Sequence, residues 1–167
     1  MRSLKVLVLE DSPFQLMVVH QTLNACGVFD VLTAESVPAA IQSLENRGAV
    51  DIAICDLHME GRDGLDLIQH LAAHQLAKAL VICSSAESDT IALAIHTARE
   101  QGLPVLGALP KPATANAVHE LLADYQASAA GDPRLPLAQV DEISQFDGSI
   151  PAPLREMCDV WCRKSQP

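Results

Sequence analysis

Short apolar runs alternate with longer stretches of helical periodicity through most of the chain. Residues 4–9, LKVLVL, form a near-continuous apolar run of the kind found in a strand buried on both faces. Ser12-Pro13-Phe14-Gln15 then carries a helix-start signal: a hydroxyl for the N-cap, proline at the first helical position and glutamine at N3. Gly27 can end that helix after about Cys26. Residues 29–33 predict a second strand. Ser36 can cap a helix to about Asn46, ending near Gly48. Residues 51–55 predict a third strand that delivers Asp56 at its C-terminal end. Residues 57–62 read as a loop, and Asp63 as the cap of a third helix to about His74. Residues 79–83 predict a fourth strand ending at Ser84-Ser85, and Ser88 or Asp89 begins a fourth helix to about Gln101. Residues 104–109 predict a fifth strand, closed by Pro110-Lys111-Pro112. Thr114 starts a fifth helix to about Ala127.

Five β–α units in succession imply an α/β fold with a parallel sheet and right-handed crossovers. The expectation is a doubly wound, five-stranded flavodoxin-like sheet, order 2-1-3-4-5, with helices on both faces, over residues 1–127. The remainder, 128–167, changes character. Five of the ten prolines fall there, and residues 128–136 read as a linker. Leu154, Met157, Cys158, Trp161 and Cys162 then fall on one helical face. That face can pack back onto the domain or contact a partner or a second copy.

Composition narrows the class. The chain is 49% hydrophobic but carries only five aromatics, so its core is built from Leu, Val, Ile and Ala. A net charge of −10 without a Lys/Arg cluster excludes the electrostatic footprint of a nucleic-acid binder and of a protein held to anionic membranes. No signal-peptide pattern appears, and no apolar run nears the ~20 residues that span a bilayer. A cytoplasmic protein is expected. Five cysteines at irregular spacing fit reduced thiols rather than a disulfide framework, and Cys158/Cys162 lack partners for a zinc site.

Polar residues gather where the fold would put ligands. Glu10 and Asp11 end the first strand, Asp56 the third and Ser84-Ser85 the fourth, and Lys111 follows the fifth. A doubly wound sheet binds outside the carboxyl ends of its strands, so these residues should share one crevice. Packed carboxylates repel one another, which raises a pKa or calls for a cation. Mg²⁺ takes oxygen ligands and completes its shell with water or phosphate. Asp56 could then act as a nucleophile toward phosphorus. Lys111 would neutralise the phosphoryl oxygens, and a serine hydroxyl would donate to one. Singly, each residue is equally at home as a helix cap, a solvated loop or a turn; only their joint order carries the reading.

Those strand ends resemble the response-regulator receiver family over about residues 3–126. The matching pieces are Val6-Leu7-Val8-Leu9-Glu10-Asp11, Asp56-Leu57-His58-Met59 with Asp63-Gly64, Ser84-Ser85-Ala86-Glu87, and Lys111-Pro112. The resemblance implies that Asp56 accepts a phosphoryl group from a histidine kinase or phosphotransfer protein. It implies a Mg²⁺ site of Glu10, Asp11, Asp56 and the backbone carbonyl of His58, with Asp11 the more direct acidic-pair ligand. It makes Ser85 the switch hydroxyl and Lys111 the phosphoryl contact, its bond to Pro112 usually cis. Two positions depart from the pattern: Glu60 replaces a frequent proline, and Ala108 replaces a switch Tyr or Phe. Without that ring the usual coupling of hydroxyl to aromatic cannot operate in its familiar form.

A narrower similarity points to the receiver halves of regulators that carry an EAL-type cyclic-di-GMP phosphodiesterase. It rests on residues 8–15 and 50–57, with residues 135–148 similar to the connector before such an output domain. No Glu-Ala-Leu motif occurs, and the 20 residues after Asp147 cannot form a barrel of about 250. A receiver fragment or a shortened protein is expected, not itself an enzyme, whose partner is an output domain, another protein or a second copy. Two alternatives stand beside this reading. One is a non-phosphorylated interaction module of the same fold. The other is an aspartyl-phosphate phosphatase of the haloacid-dehalogenase type, which would want a second Asp where His58 stands.

Overall fold

A computed structural model describes residues 3–59, 64–85 and 87–130. The elements run β1 (Lys5–Leu9), α1 (Pro13–Ala25), β2 (Asp30–Ala34), α2 (Val37–Arg47), β3 (Val50–Cys55), α3 (Gly64–Ala73), β4 (Ala77–Cys83), α4 (Ser88–Glu100), β5 (Val105–Leu109) and α5 (Ala115–Ala129). All strand pairs are parallel, in the order β2-β1-β3-β4-β5, as expected. Leu7 pairs with Leu32 on one side and Ala53 on the other. One register shift interrupts the last pairing, between Leu80 and Val81.

Helix starts follow the capping chemistry read from the sequence. The hydroxyls of Ser12, Ser36 and Thr114 accept from the backbone N–H groups of Gln15, Ala39 and Ala117. Such caps satisfy donors that the first helical turn leaves unpaired. Several boundaries shift by one or two residues, and three of the shifts bear on packing. β4 opens at Ala77, two residues early, because Val50 pairs with Ala77 and the intervening Lys78 turns outward. β2 begins one residue late and leaves Phe29 exposed. α5 continues through Ser128 to Ala129, where a linker was expected; the Ala-rich stretch there propagates a helix readily. The expected cap Asp63, the departures and motif residues Glu60 and Ala86, and the tail face from Leu154 to Cys162 lie outside the described residues.

Two cores sandwich the sheet. Leu7, Leu9, Ala53, Cys55, Leu80 and Ile82 face one way, under Leu44 of α2, Leu67, Ile68 and Leu71 of α3, and Ala94 and Ala98 of α4. Val6, Val8, Ile52, Ile54, Val81 and Cys83 face the other, under Leu16, Val19 and Leu23 of α1 and Val118 and Leu122 of α5. All six residues of β3 are buried. No described helix is long and apolar enough to cross a membrane.

At the N-terminal edge of the sheet sits a buried carboxylate. Asp51 accepts from the Lys5 backbone N–H at 3.0 Å, Lys78 Nζ at 2.8 Å and the Tyr125 hydroxyl at 3.4 Å. The contacts join β1, β3, β4 and the C-terminal half of α5. Asp51→Ala removes the acceptor for part-buried donors and is expected to cost about 1–3 kcal/mol in urea unfolding. Lys78 is half in solvent, so Lys78→Met should cost about 1 kcal/mol or less. Equal losses in the two variants would show that the ion pair, rather than the buried hydrogen bonds, stabilises this corner.

Candidate functional site

The opposite edge of the sheet, at the strand C-termini, brings the acids together. Glu10 follows β1 directly and Asp56 follows β3 directly; they are only 3% and 2% exposed. Backbone hydrogen bonds hold both beyond the strand ends: Glu10 N–H donates to the Ala34 carbonyl and Asp56 N–H to the Leu9 carbonyl, each at 3.0 Å. The carboxylates are thus placed by the ladder itself. Lys111, two residues past β5 and joined to Pro112 by the expected cis bond, reaches between them. Its Nζ lies 2.6 Å from Glu10 Oε2 and 2.6 Å from Asp56 Oδ2.

The remaining carboxylate oxygens are also engaged. Asp56 Oδ1 accepts from His58 N–H at 2.9 Å, and Glu10 Oε1 from Ser12 N–H at 3.1 Å. Burial pushes the Glu10 carboxyl above its ordinary 4.5, against the pull of Lys111 and the Ser12 N–H; Asp56 adds to the rise. Burial draws the Lys111 ammonium down, but its hydrogen bonds and charge contacts with Asp56 and Glu10 together outweigh this and leave it raised above 10.5. Cys55 and Cys83 flank the site as buried thiols, each pushed up to about 12, chiefly by burial. They are inert neutral packing groups at neutral pH.

Ligating oxygens of Glu10, Asp11 and Asp56 lie within 4.8 Å of one another. One ammonium among three carboxylates leaves negative charge that a divalent cation balances, and an all-oxygen donor set suits Mg²⁺. The residues present therefore fit that ion. Of the other expected site residues, His58 contributes its backbone N–H to Asp56 while its side chain is exposed. Ser84 is buried and Ser85 exposed at the end of β4. Ala108 is part-buried against the α2–α3–α4 core.

Gly64 has a role that sequence reasoning did not assign. A Cβ there would stand 2.1 Å from the Asp56 carbonyl oxygen and 3.0 Å from both Asp56 C and Leu57 Cα. The first turn of α3 thus abuts the backbone that carries the central acid. A glycine opening a helix, where alanine is preferred, was the available signal.

The family model of the response regulator receiver domain matches residues 6–123. The cyclic di-GMP phosphodiesterase RocR of Pseudomonas aeruginosa is 36% identical over 134 residues, covering 80% of this chain and 34% of RocR. The chain thus spans about a third of that relative's length. Chemotaxis protein CheY1 of Helicobacter pylori is 32% identical over 79 residues, covering 47% of this chain and 64% of CheY1. Among solved structures, CheY4 of Vibrio cholerae superposes with a TM-score of 0.62 at 21% identity, covering 73% of this chain and 98% of that one. The signal receiver domain of a modulated diguanylate cyclase from Desulfovibrio desulfuricans G20 gives 0.63 at 20% identity, covering 77% and 98%. These structures establish the fold, and the family model together with the sequence relatives establishes more: this chain belongs to the response regulator receiver domain family, a regulatory rather than catalytic unit.

Proposed function

We propose that the domain is a phosphorylation switch in which Asp56 accepts a phosphoryl group from a cytoplasmic histidine kinase or phosphotransfer protein. The observation that carries this reading is the Asp56–Lys111 contact of 2.6 Å inside a cluster of three carboxylates. An Asp56 carboxylate oxygen attacks phosphorus, the bond from phosphorus to the donor's imidazole nitrogen breaks, and the electron pair leaves with the imidazole. Lys111 sits where charge gathers on the phosphoryl oxygens, and the exposed Ser85 hydroxyl is free to turn toward one. Glu10, Asp11, Asp56 and the His58 carbonyl would hold Mg²⁺, which supplies charge neutralisation when bound. Residues 1–127 form the phosphorylatable unit and 128–167 a connector and tail. Likeness to RocR supports a place in cyclic-di-GMP signalling, with an output domain as partner.

Incubation with Mg²⁺ and a small phosphodonor such as acetyl phosphate is expected to add one phosphate by intact mass. Asp56→Asn should abolish the addition, because an amide is a poor nucleophile. Asp11→Ala should label only at much higher Mg²⁺. Undiminished labelling of Asp56→Asn overturns the assignment, and a wild-type protein that never labels indicates a non-phosphorylated interaction module.

A further inference from the structure

The last turns of α3 carry two histidines that the phosphorylation chemistry does not use. Leu67, Ile68 and Leu71 bury one face of this helix. His70 and His74 fall four residues apart beside that face, His70 part-buried and His74 exposed. Side chains at i and i+4 stack one above the other on a helix. Here the two imidazole rings touch, with centroids 4.5 Å apart and planes tilted by 50°.

The backbone beneath the pair is fixed. His74 lies just past the last residue of α3, yet its N–H donates to the His70 carbonyl at 3.1 Å, so the intervening turn keeps helical spacing. The next two residues close the helix end. Gln75 adopts φ +52° and donates to the Ala72 carbonyl, and Leu76 donates to the Leu71 carbonyl. A left-handed residue with such bonds is the ordinary way a helix C-terminus is capped. Both rings therefore project from a preorganised turn, at the i and i+4 spacing by which two helical histidines can share one ion. The field there favours a cation, because a helix C-terminus carries partial negative charge. Asp66 stands one further turn back along the same row, and the whole chain carries −10.

We propose that His70 and His74 form a two-imidazole site for a borderline divalent transition-metal ion, with water in the remaining positions. Imidazole selects Zn²⁺, Ni²⁺ or Cu²⁺, whereas carboxylates suit Mg²⁺. The site is therefore chemically separate from the Glu10–Asp11–Asp56 cluster. Two neighbouring histidines on one helix face are the ligand geometry that zinc proteases use at i and i+4. A bound ion clamps the last turn of the helix whose first residue, Gly64, abuts Asp56.

The probe is Ni²⁺, which avoids the thiol preference of Zn²⁺, added to the full-length chain in excess Mg²⁺ and followed by NMR of the six imidazoles. Resonances of His70 and His74 are expected to broaden first, with His20, His58, His96 and His119 following only at higher Ni²⁺. His70→Ala and His74→Ala should each weaken binding by about tenfold or more, because a second tethered ligand acts at high effective concentration. The Ni²⁺-induced rise in melting temperature should shrink in both variants. His96→Ala should bind as wild type does, whether or not Asp56 is the phosphoacceptor. Each variant's metal-free melting temperature checks its fold, and His74→Asn provides a second polar replacement. Equal broadening at all six histidines, or unchanged affinity in both alanine variants, overturns the site.

Discussion

Gly64→Ala is expected to destabilise the domain by about 3 kcal/mol or more, at or beyond the upper end of overpacking effects. The added methyl would stand 2.1 Å from the Asp56 carbonyl oxygen, far inside van der Waals contact, and its neighbours are backbone rather than a yielding side chain. Relief requires α3 to move away or the Asp56–Leu57 peptide to move inward. Either shift disturbs a carboxylate whose hydrogen bonds to His58 N–H and Lys111 are 2.9 and 2.6 Å long. Urea unfolding and the rate of phosphate addition should therefore fall together. Gly102→Ala is the control: Gly102 has φ +81° at the C-terminus of α4 but nothing within 4 Å of an added Cβ, so only backbone strain of about 1–2 kcal/mol is expected. Equal stability losses at the two glycines would show that the close approach to Asp56 is not what requires a glycine at 64.

Removing the ammonium has the second large effect. Lys111→Met preserves much of the side-chain bulk but leaves Glu10 and Asp56 facing each other without their shared counter-charge. Breaking a buried pair by deleting one partner costs about 3–5 kcal/mol, because the other charge stays buried. The deficit should depend on pH. Glu10 is already raised above 4.5, chiefly by burial, and Lys111 is among the influences holding it down. A carboxyl raised on folding binds its proton more readily when folded, so it costs stability above its ordinary range and that cost fades on acidification. Without Lys111 the cost deepens. The gap between variant and wild type should be wider at about pH 8 than at about pH 5. The lysine's own contribution has the opposite window: with its pKa raised above 10.5, it is complete below that value and lost as pH climbs through it. A gap of the same size at both pH values would show that the cost is one of packing rather than charge.

Much of this architecture was legible because parallel strands covered on both faces must be apolar nearly throughout. Residues 4–9 and 51–55 could scarcely be anything else, and the acids that follow them mark where the ladder ends. Ser12, Ser36 and Thr114 announced their helices through local chemistry. What escaped depends on distant partners. Lys78 fell just outside the expected fourth strand, yet it is a strand residue whose ammonium meets Asp51, 27 positions earlier. Asp51 in turn read as the polar opening of a strand, while its carboxylate is buried beneath Tyr125. The need for glycine at 64 is set by a carbonyl eight residues earlier in the chain, a separation that no periodicity reports. Helix length at α5 was underestimated because serine suggested a linker, although alanines on both sides sustain the helix.

The strands β1, β3 and β4 send alternate side chains into both cores, so neither helical layer owns a sheet surface that it could keep by itself. Stripping α1 and α5 away would wet one side of the very strands that α2, α3 and α4 need dry on the other. Partial melting is thereby penalised from both directions, and sheet and helices are bound into a single cooperative unit that comes apart in one concerted step. A substitution on either face is consequently felt by the whole unit, and the effects of changes at Asp51, Gly64 and Lys111 can be compared on a common free-energy scale.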